Sequence, residues 1–205
     1  MSKKNTAWTF TGEEQAAPVS KGDRNDPPLA WILAGCREYK SGCQERLYKR
    51  FYGYALSTAL AYCTTREDAV EVVNDSFIKV FRNIETYLPS APFKPWLRRI
   101  VVNTAIDRVR SARRFGYRHH ADIEDMEQLS TVDVESDLHV KQIRRLLYEL
   151  PDLLRFVFNM YEIEGYSHRE ISEKLDIAES SSRTYLARAK DQLRRLYRNS
   201  FMDEP

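Results

Sequence analysis

Between Ser167 and Lys190 the chain reads helix, tight turn, helix, and no other stretch constrains the fold as much. Ser167 and Glu170 stand at capping-box spacing. There the hydroxyl can accept from the third backbone N–H while the carboxylate returns a bond to the cap's own N–H. A helix is therefore predicted to start at this point. Ile171 and Leu175 share one face, and Leu186, Ala189, Leu193 and Leu196 recur at helical spacing, so two short amphipathic helices flank a break at Asp176–Ser180. The second helix carries Arg183, Arg188, Lys190, Arg194, Arg195 and Arg198 against Asp191. A helix of that size and charge fits the major groove of DNA, with Arg183 and Thr184 near its start facing base edges. Helix pairs with basic outer faces also serve as plain packing units, so the rest of the chain has to decide between the two.

The net charge of +2 hides a segregation of charge along the chain. From Lys94 to Arg118 eight basic residues face Asp107 alone, and from Ala121 to His139 seven acidic residues occur with no Lys or Arg. The C-terminal helix is basic again. Two basic blocks separated by an acidic one predict two surfaces for a polyanion, joined by a segment that the polyanion would repel. The three cysteines, Cys36, Cys43 and Cys63, are odd in number and lack C-x-x-C spacing. They argue against a disulfide framework or a structural zinc site and fit helix packing in a reducing compartment. No apolar run reaches membrane-spanning length, and no signal-peptide core follows Met1–Asn5. The expectation is a cytoplasmic protein without membrane insertion.

Residues 1–28, with Gly12, Pro18, Gly22, Pro27 and Pro28 among polar residues, read as a flexible N-terminal arm. A helical unit is expected over 29–115. Trp31, Ile32 and Cys36 begin it, and Leu47 to Cys63 mark a long, largely buried helix. Thr64 and Glu67 give a second capping-box spacing. The helix they open has Val70, Val73, Phe77, Val80, Phe81 and Ile84 inside and Glu71, Asn74, Asp75 and Lys79 outside. Pro89, Pro92 and Pro95 predict a loop from Leu88 to Lys94, followed by a helix from about Trp96 to Arg114. An acidic linker is expected over 116–137, and a final helical unit over 138–200. No strand alternation occurs, so the predicted class is all-α: two small helical domains joined by a flexible acidic linker, the second a helix-turn-helix.

Candidates for catalysis are sparse. His119–His120 is an adjacent pair whose side chains diverge on a helix, and His139 and His168 are isolated; exposed histidines without a catalytic role account for them. With seven glycines and no phosphate loop, nucleophile elbow or H-E-x-x-H motif, no cofactor is expected. The Trp96–Arg114 helix differs. Asn103 lies on it among Arg99, Arg110, Arg113 and Arg114, and an amide can pair with a base edge, while Tyr87 or Phe93 can stack on an unpaired base. The alternative is that Asn103 bridges within the bundle and the aromatics belong to the core.

Three stretches, Arg66–Phe81, Pro95–Asp107 and Leu150–Arg195, in this order and at these separations, resemble the sigma-70 family, specifically its extracytoplasmic-function (ECF) type. The resemblance implies a two-domain bacterial transcription initiation factor without enzymatic activity. It assigns contact with core RNA polymerase to Glu71, Asn74, Asp75 and Lys79. Recognition and melting of the promoter's −10 element fall to Asn103, Tyr87, Trp96, Arg99 and Arg110. Capture of an unstacked base would offset part of the energy lost on unpairing it. Reading of the −35 element falls to Arg183, Thr184 and Arg188, with Arg169, Lys174 and Lys190 on phosphates, where they add salt-dependent affinity rather than specificity. The implied partners are core RNA polymerase, promoter DNA and an anti-sigma protein.

This chain departs from the family pattern at the turn. Asp176 to Tyr185 replaces a family sequence Gly-x-Pro-x-Gly-Thr-Val-Lys-Ser-Arg, removing both glycines and putting Tyr185 where a basic residue is usual. Arg98 stands where an aromatic is common. The competing expectations are a conventional helix-turn-helix regulator acting as a dimer without core polymerase, and a nucleic-acid-processing enzyme, against which stands the lack of a clustered acidic or histidine site.

Overall fold

A computed structural model describes residues 27–63, 65–114 and 145–201, and every regular element among them is helical. In order these are α1 (Leu29–Arg37), α2 (Ser41–Leu60), α3 (Arg66–Arg82), a 3-10 turn (Ile84–Thr86), α4 (Phe93–Arg114), α5 (Asp152–Phe158) continued by a π-helical turn (Asn159–Ile163), α6 (His168–Leu175) and α7 (Glu179–Phe201). A short helical stretch at 145–148 precedes α5. The linker expected over 116–137, most of the arm expected over 1–28, and His119, His120 and His139 lie outside the described residues.

The N-terminal unit forms because α1 to α4 each bury one stripe of apolar residues against the others. Ile32, Cys36, Leu47, Ala55, Leu56, Val72, Val73, Phe77, Leu97 and Val101 are at most 2% exposed. Each large aliphatic side chain so buried contributes about 1.5–3 kcal/mol relative to exposure. The approach of α1 to α2 requires glycine: a Cβ on Gly35 would stand 2.2 Å from Cys43 Sγ. The three cysteines are reduced and buried. Burial, helped by neighbouring Cys43, pushes the Cys36 thiol up to about 11, and burial with the charge of Asp68 pushes Cys63 up to about 12, which fits packing rather than reactivity.

Two boundaries of this unit differ from expectation. The cap of α3 is Thr65, not Thr64: its hydroxyl accepts from Asp68 N at 3.1 Å. Glu67 and Asp68 in the first turn and Lys79 and Arg82 in the last complement the helix dipole. Helix α4 begins at Phe93, so Pro95 sits inside its first turn rather than in the preceding loop. The first four N–H groups of a helix have no intrahelical acceptor, and a proline there forfeits no bond. Of the residues that begin the helical pattern, Trp31 is 56% exposed, since only Ile32, Leu33, Gly35 and Cys36 of α1 turn inward.

The C-terminal unit packs against the N-terminal one. Phe156, Val157, Met160, Ile171 and Leu175 join the hydrophobic cluster that α1 to α4 form, and α6 lies against α4. Among the described residues, no helix is long and apolar enough to cross a membrane.

Candidate nucleic-acid interface

Ser167 caps α6 as its spacing predicts: its hydroxyl accepts from Glu170 N, and Ser167 N donates to Glu170 Oε2 at 2.9 Å. Those bonds hold the Glu170 carboxyl below its usual range. The turn needs no glycine, because Asp176 adopts the left-handed conformation (φ 54°, ψ 55°) that ends α6, and the acid is among the few side chains that tolerate it. Helix α7 then starts at Glu179, so Ser180 belongs to the helix and not to the break. Inside the corner, His168 Nδ1 and Ser182 Oγ are hydrogen-bonded at 3.0 Å, Ser182 is fully buried, and the imidazole stacks on Tyr161. His168 is thus a packed corner residue rather than a solvated one. Burial first, and the charges of Arg183 and Lys190 next, lower its pKa below 6.5.

On the outer face of α7, Arg183, Thr184 and Arg188 are exposed. Arg183 pairs with Glu179 one turn back, and Thr184 Oγ1 donates to Ser180 O. Such exposed pairs contribute little energy and yield readily to a phosphate or base. Arg169 behaves alike, highly exposed and paired with Glu173. The other two residues expected on phosphates face inward. Lys190 is half-buried and pairs with Glu162 at 2.7 Å, and Lys174 Nζ lies over the Tyr166 ring and donates to Asn103 Oδ1 at 2.8 Å. In this arrangement Lys174 ties α6 to α4 across the two units, while Lys190 braces α7 against the π-helical turn within the C-terminal unit.

On α4, Asn103 is half-buried and Arg99 exposed, while Arg110 is half-buried with its Nε unpartnered. Tyr87, expected to stack on a base, is 4% exposed. Its ring packs against Phe93 and Trp96, its hydroxyl donates to Ala91 O, and its carbonyl accepts from Arg37 at 2.8 Å. Phe93 is equally buried, tilted against Phe51. Both aromatics are core in this arrangement, and half-buried Trp96 is the ring of this cluster nearest the surface.

Glu71, Asn74 and Asp75 are exposed on α3 as the periodicity predicts. Glu71 is engaged by Arg108 Nη1 at 2.6 Å, Asn74 Oδ1 accepts from Tyr48, and Lys79 reaches Asp107 at 3.4 Å. Arg108 also binds Asp68, so it ties the start of α3 to α4. Sequence reasoning missed Glu164. It accepts from Arg98 Nε and Nη2 at 2.9 and 2.5 Å and from Tyr62 OH at 3.2 Å. Burial alone would lower the Arg98 pKa, but the Glu164 bonds and charge hold it above its ordinary value. Partners 66 and 102 residues apart leave no periodic signal; the one hint was a polar Arg98 within an apolar helical stretch. Among the described residues, no group of His, Cys, Asp and Glu is arranged to hold a metal ion.

Two family models match in the order of these elements: Sigma-70 region 2 over residues 47–115 and Sigma-70, region 4 over residues 141–193, together more than half of the chain. The ECF RNA polymerase sigma-E factor of Haemophilus influenzae is 29% identical over 153 residues, covering 69% of this chain and 81% of that protein. The ECF RNA polymerase sigma factor SigM of Mycobacterium tuberculosis is 29% identical over 180 residues, covering 87% of this chain and 89% of its own. A solved structure, CnrH in complex with the cytosolic domain of CnrY, aligns with a TM-score of 0.44 at 21% identity over 82% of this chain and 95% of that one. With both regions matched in order and ECF relatives spanning most of its length, the chain belongs to the sigma-70 family, as a factor of the ECF type.

Proposed function

We propose that this transcription initiation factor works as an adaptor without covalent chemistry of its own, attaching core RNA polymerase to promoter DNA through three separate faces. The observation that carries the reading is the exposure of Arg183, Thr184 and Arg188 along the start of α7, behind a properly capped α6, in a chain whose upstream half matches region 2. An arginine fork and a hydroxyl at the N-terminal end of such a helix can reach major-groove edges of the −35 duplex. Arg169, exposed on α6, adds a phosphate contact. Asn103, with Arg99 and Arg110 around it and Trp96 beside it, receives the melted −10 strand. Tyr87 and Phe93 support that site from within the core, since buried rings position neighbours rather than stack on incoming bases.

The exposed side of α3 is the polymerase-docking face. Glu71 is already committed to Arg108 and the Asn74 amide oxygen to Tyr48, so Asp75 presents the acidic group most available to a partner. Transcription in vitro, with purified core polymerase and a fragment library from the source genome, tests the whole reading. The expected result is initiation that depends on the added chain, together with co-elution of chain and core enzyme. A chain that neither binds core nor directs initiation would overturn it, and dimeric binding to symmetric duplex half-sites without core would favour a conventional regulator.

A further inference from the structure

Among the described residues, three adopt the left-handed backbone conformation, and two of them are of the kind that it accepts: Gly165 (φ 74°) and the Asp176 that ends α6 (φ 54°). The third is Tyr39 (φ 57°). It stands directly after the cap of α1, where its N–H donates to Cys36 O at 3.1 Å and the next N–H, of Lys40, donates to Gly35 O at 3.0 Å. Those two bonds complete the Schellman ending of a helix, whose left-handed residue is usually glycine. A bulky side chain at such a φ is a strained outlier, and strain of this kind collects at functional surfaces.

Local packing does not account for the ring. Tyr39 is 71% exposed, and among the described residues no side-chain hydrogen bond or ring contact holds it. Glycine would close the same turn without strain. Burial therefore gives nothing back for the tyrosine, and the return has to come from a partner. An aromatic ring with two side-chain torsions offers such a partner a large contact area while losing little conformational freedom.

The position of the ring is tied to the site assigned to the melted strand. Arg37, in the last turn of α1, donates to Tyr87 O at 2.8 Å, and the Tyr87 ring packs on Trp96 with centroids 5.3 Å apart. Trp96 lies in the same helix as Asn103. Leu88, the residue after the anchored carbonyl, is 68% exposed. Next to Tyr39, Lys40 pairs with Glu38 at 2.6 Å with both side chains largely exposed, and such a pair yields readily to a phosphate. Exposed rings that stack on bases, beside cations that follow the backbone, are how single strands are held without base preference. A duplex keeps its base faces stacked, so a ring used in this way acts only on a strand already melted.

We propose that Tyr39 is a stacking platform for an unpaired base of the melted strand, extending the reading site of α4 to the end of α1. The inference rests on the assignment of Trp96 and Asn103 to that strand. The platform gives the strand a second ring, and the left-handed strain at Tyr39 is what the fold gives up to present it.

The test uses the full chain, alone and with core polymerase, and a fluorescein-labelled random-sequence single-stranded DNA oligonucleotide read by anisotropy. Tyr39→Gly should weaken binding about tenfold, the scale of one stacked base. The same change should raise the melting temperature by about 2–4 °C, because glycine adopts the left-handed conformation without strain. Tyr39→Phe keeps the ring and should match the parent in both readings. Stability and affinity moving in opposite directions is a result that a purely structural tyrosine would not give. Unchanged oligonucleotide affinity in Tyr39→Gly overturns the platform, and so does a lowered melting temperature, which would make the ring a structural cover. Weaker binding to core polymerase with oligonucleotide affinity intact overturns it in favour of a protein contact. A parent chain that does not bind the oligonucleotide, with or without core polymerase, overturns it as well. Asn103→Ala in the same assay isolates the underlying assignment: if it binds like the parent while Tyr39→Gly does not, the platform stands and the placing of the strand on α4 fails.

Discussion

Arg183, Thr184 and Arg188 stand exposed on α7, whereas Asn103 on α4 is half-buried and hydrogen-bonded to Lys174. The two helices are assigned parallel tasks, yet one presents its reading edge to solvent and the other to a neighbouring helix. Duplex DNA presents its base edges without unstacking, so a duplex reader can remain permanently exposed. A reader of melted DNA gains only after base pairs have been lost, and a covered amide suits that later step. The difference comes from which side of each helix the shared core takes: α7 turns Leu186 and Ala189 inward and its arginines outward, while α4 is packed by α2 and α3 and then covered by α6.

The largest effect that could break this comparison is loss of the shared core. Met160 is fully buried in the cluster common to both units, and Met160→Ala should cost about 2–5 kcal/mol. Urea unfolding followed by far-UV circular dichroism should show one transition shifted to lower denaturant. Two transitions, only one of them shifted, would mean that the units fold independently and that the covering of α4 is incidental.

Next in size, Asn103→Ala should lower promoter opening by about tenfold or more, the scale of one base-edge contact pair. Permanganate reactivity of the −10 region in the complex with core enzyme reports opening, and duplex −35 affinity should stay the same. Equal losses in both would end the division of labour between the helices. Arg188→Ala should do the reverse, weakening duplex binding by about 1–3 kcal/mol and leaving permanganate reactivity at saturating protein unaltered, as gel-shift titration at two salt concentrations would reveal.

The smallest effect concerns the corner that aims α7. The pKa of His168 is lowered below 6.5 in the fold by burial and by Arg183 and Lys190, with Glu179 opposing, while Ser182 and Tyr161 pack on the ring. The unfolded chain therefore binds the extra proton first, so this contribution to stability is complete above pH 6.5 and is lost as pH falls through the folded value. Thermal melts between pH 7 and pH 5 should decline, and His168→Gln should flatten that part of the slope. An unchanged slope in His168→Gln would remove the imidazole from the corner's energetics.

Much of the fold was legible in the residues. The capping box at Ser167 and Glu170, the apolar stripes of α2, α3 and α7, and the polar outer face of α3 all depend on side chains within a turn or two of each other, where helical geometry alone dictates neighbours. The failures were local and small: the α3 cap moved one residue to Thr65, and α4 took Pro95 into its first turn, since a proline breaks a helix only where its missing N–H is needed. The turn that had lost its family glycines closed on Asp176 instead.

The candidate site was legible only as residue types. Periodicity said which face of a helix is polar, and it put Arg183, Thr184 and Arg188 outside correctly. It had no means of separating Lys174 and Lys190, which point into contacts with Asn103 and Glu162, from Arg169, which points to solvent, because all three are cations on amphipathic helices. Tyr87 and Arg98 illustrate the same limit. The ring became core through Phe93 and Trp96, and the guanidinium found Glu164 from the other unit.

By itself, then, the sequence determined that this is an all-helical chain with two basic helical faces in a fixed order and a capped helix-turn-helix, because those properties follow from contacts at separations of three and four residues. Only the tertiary structure decided which of those faces is open. Lys174 reaches Asn103, Glu164 reaches Arg98, and Arg155 and Asn159 reach the end of α2 from far along the chain, and such meetings are set by how the apolar stripes of whole helices pack, not by any local spacing.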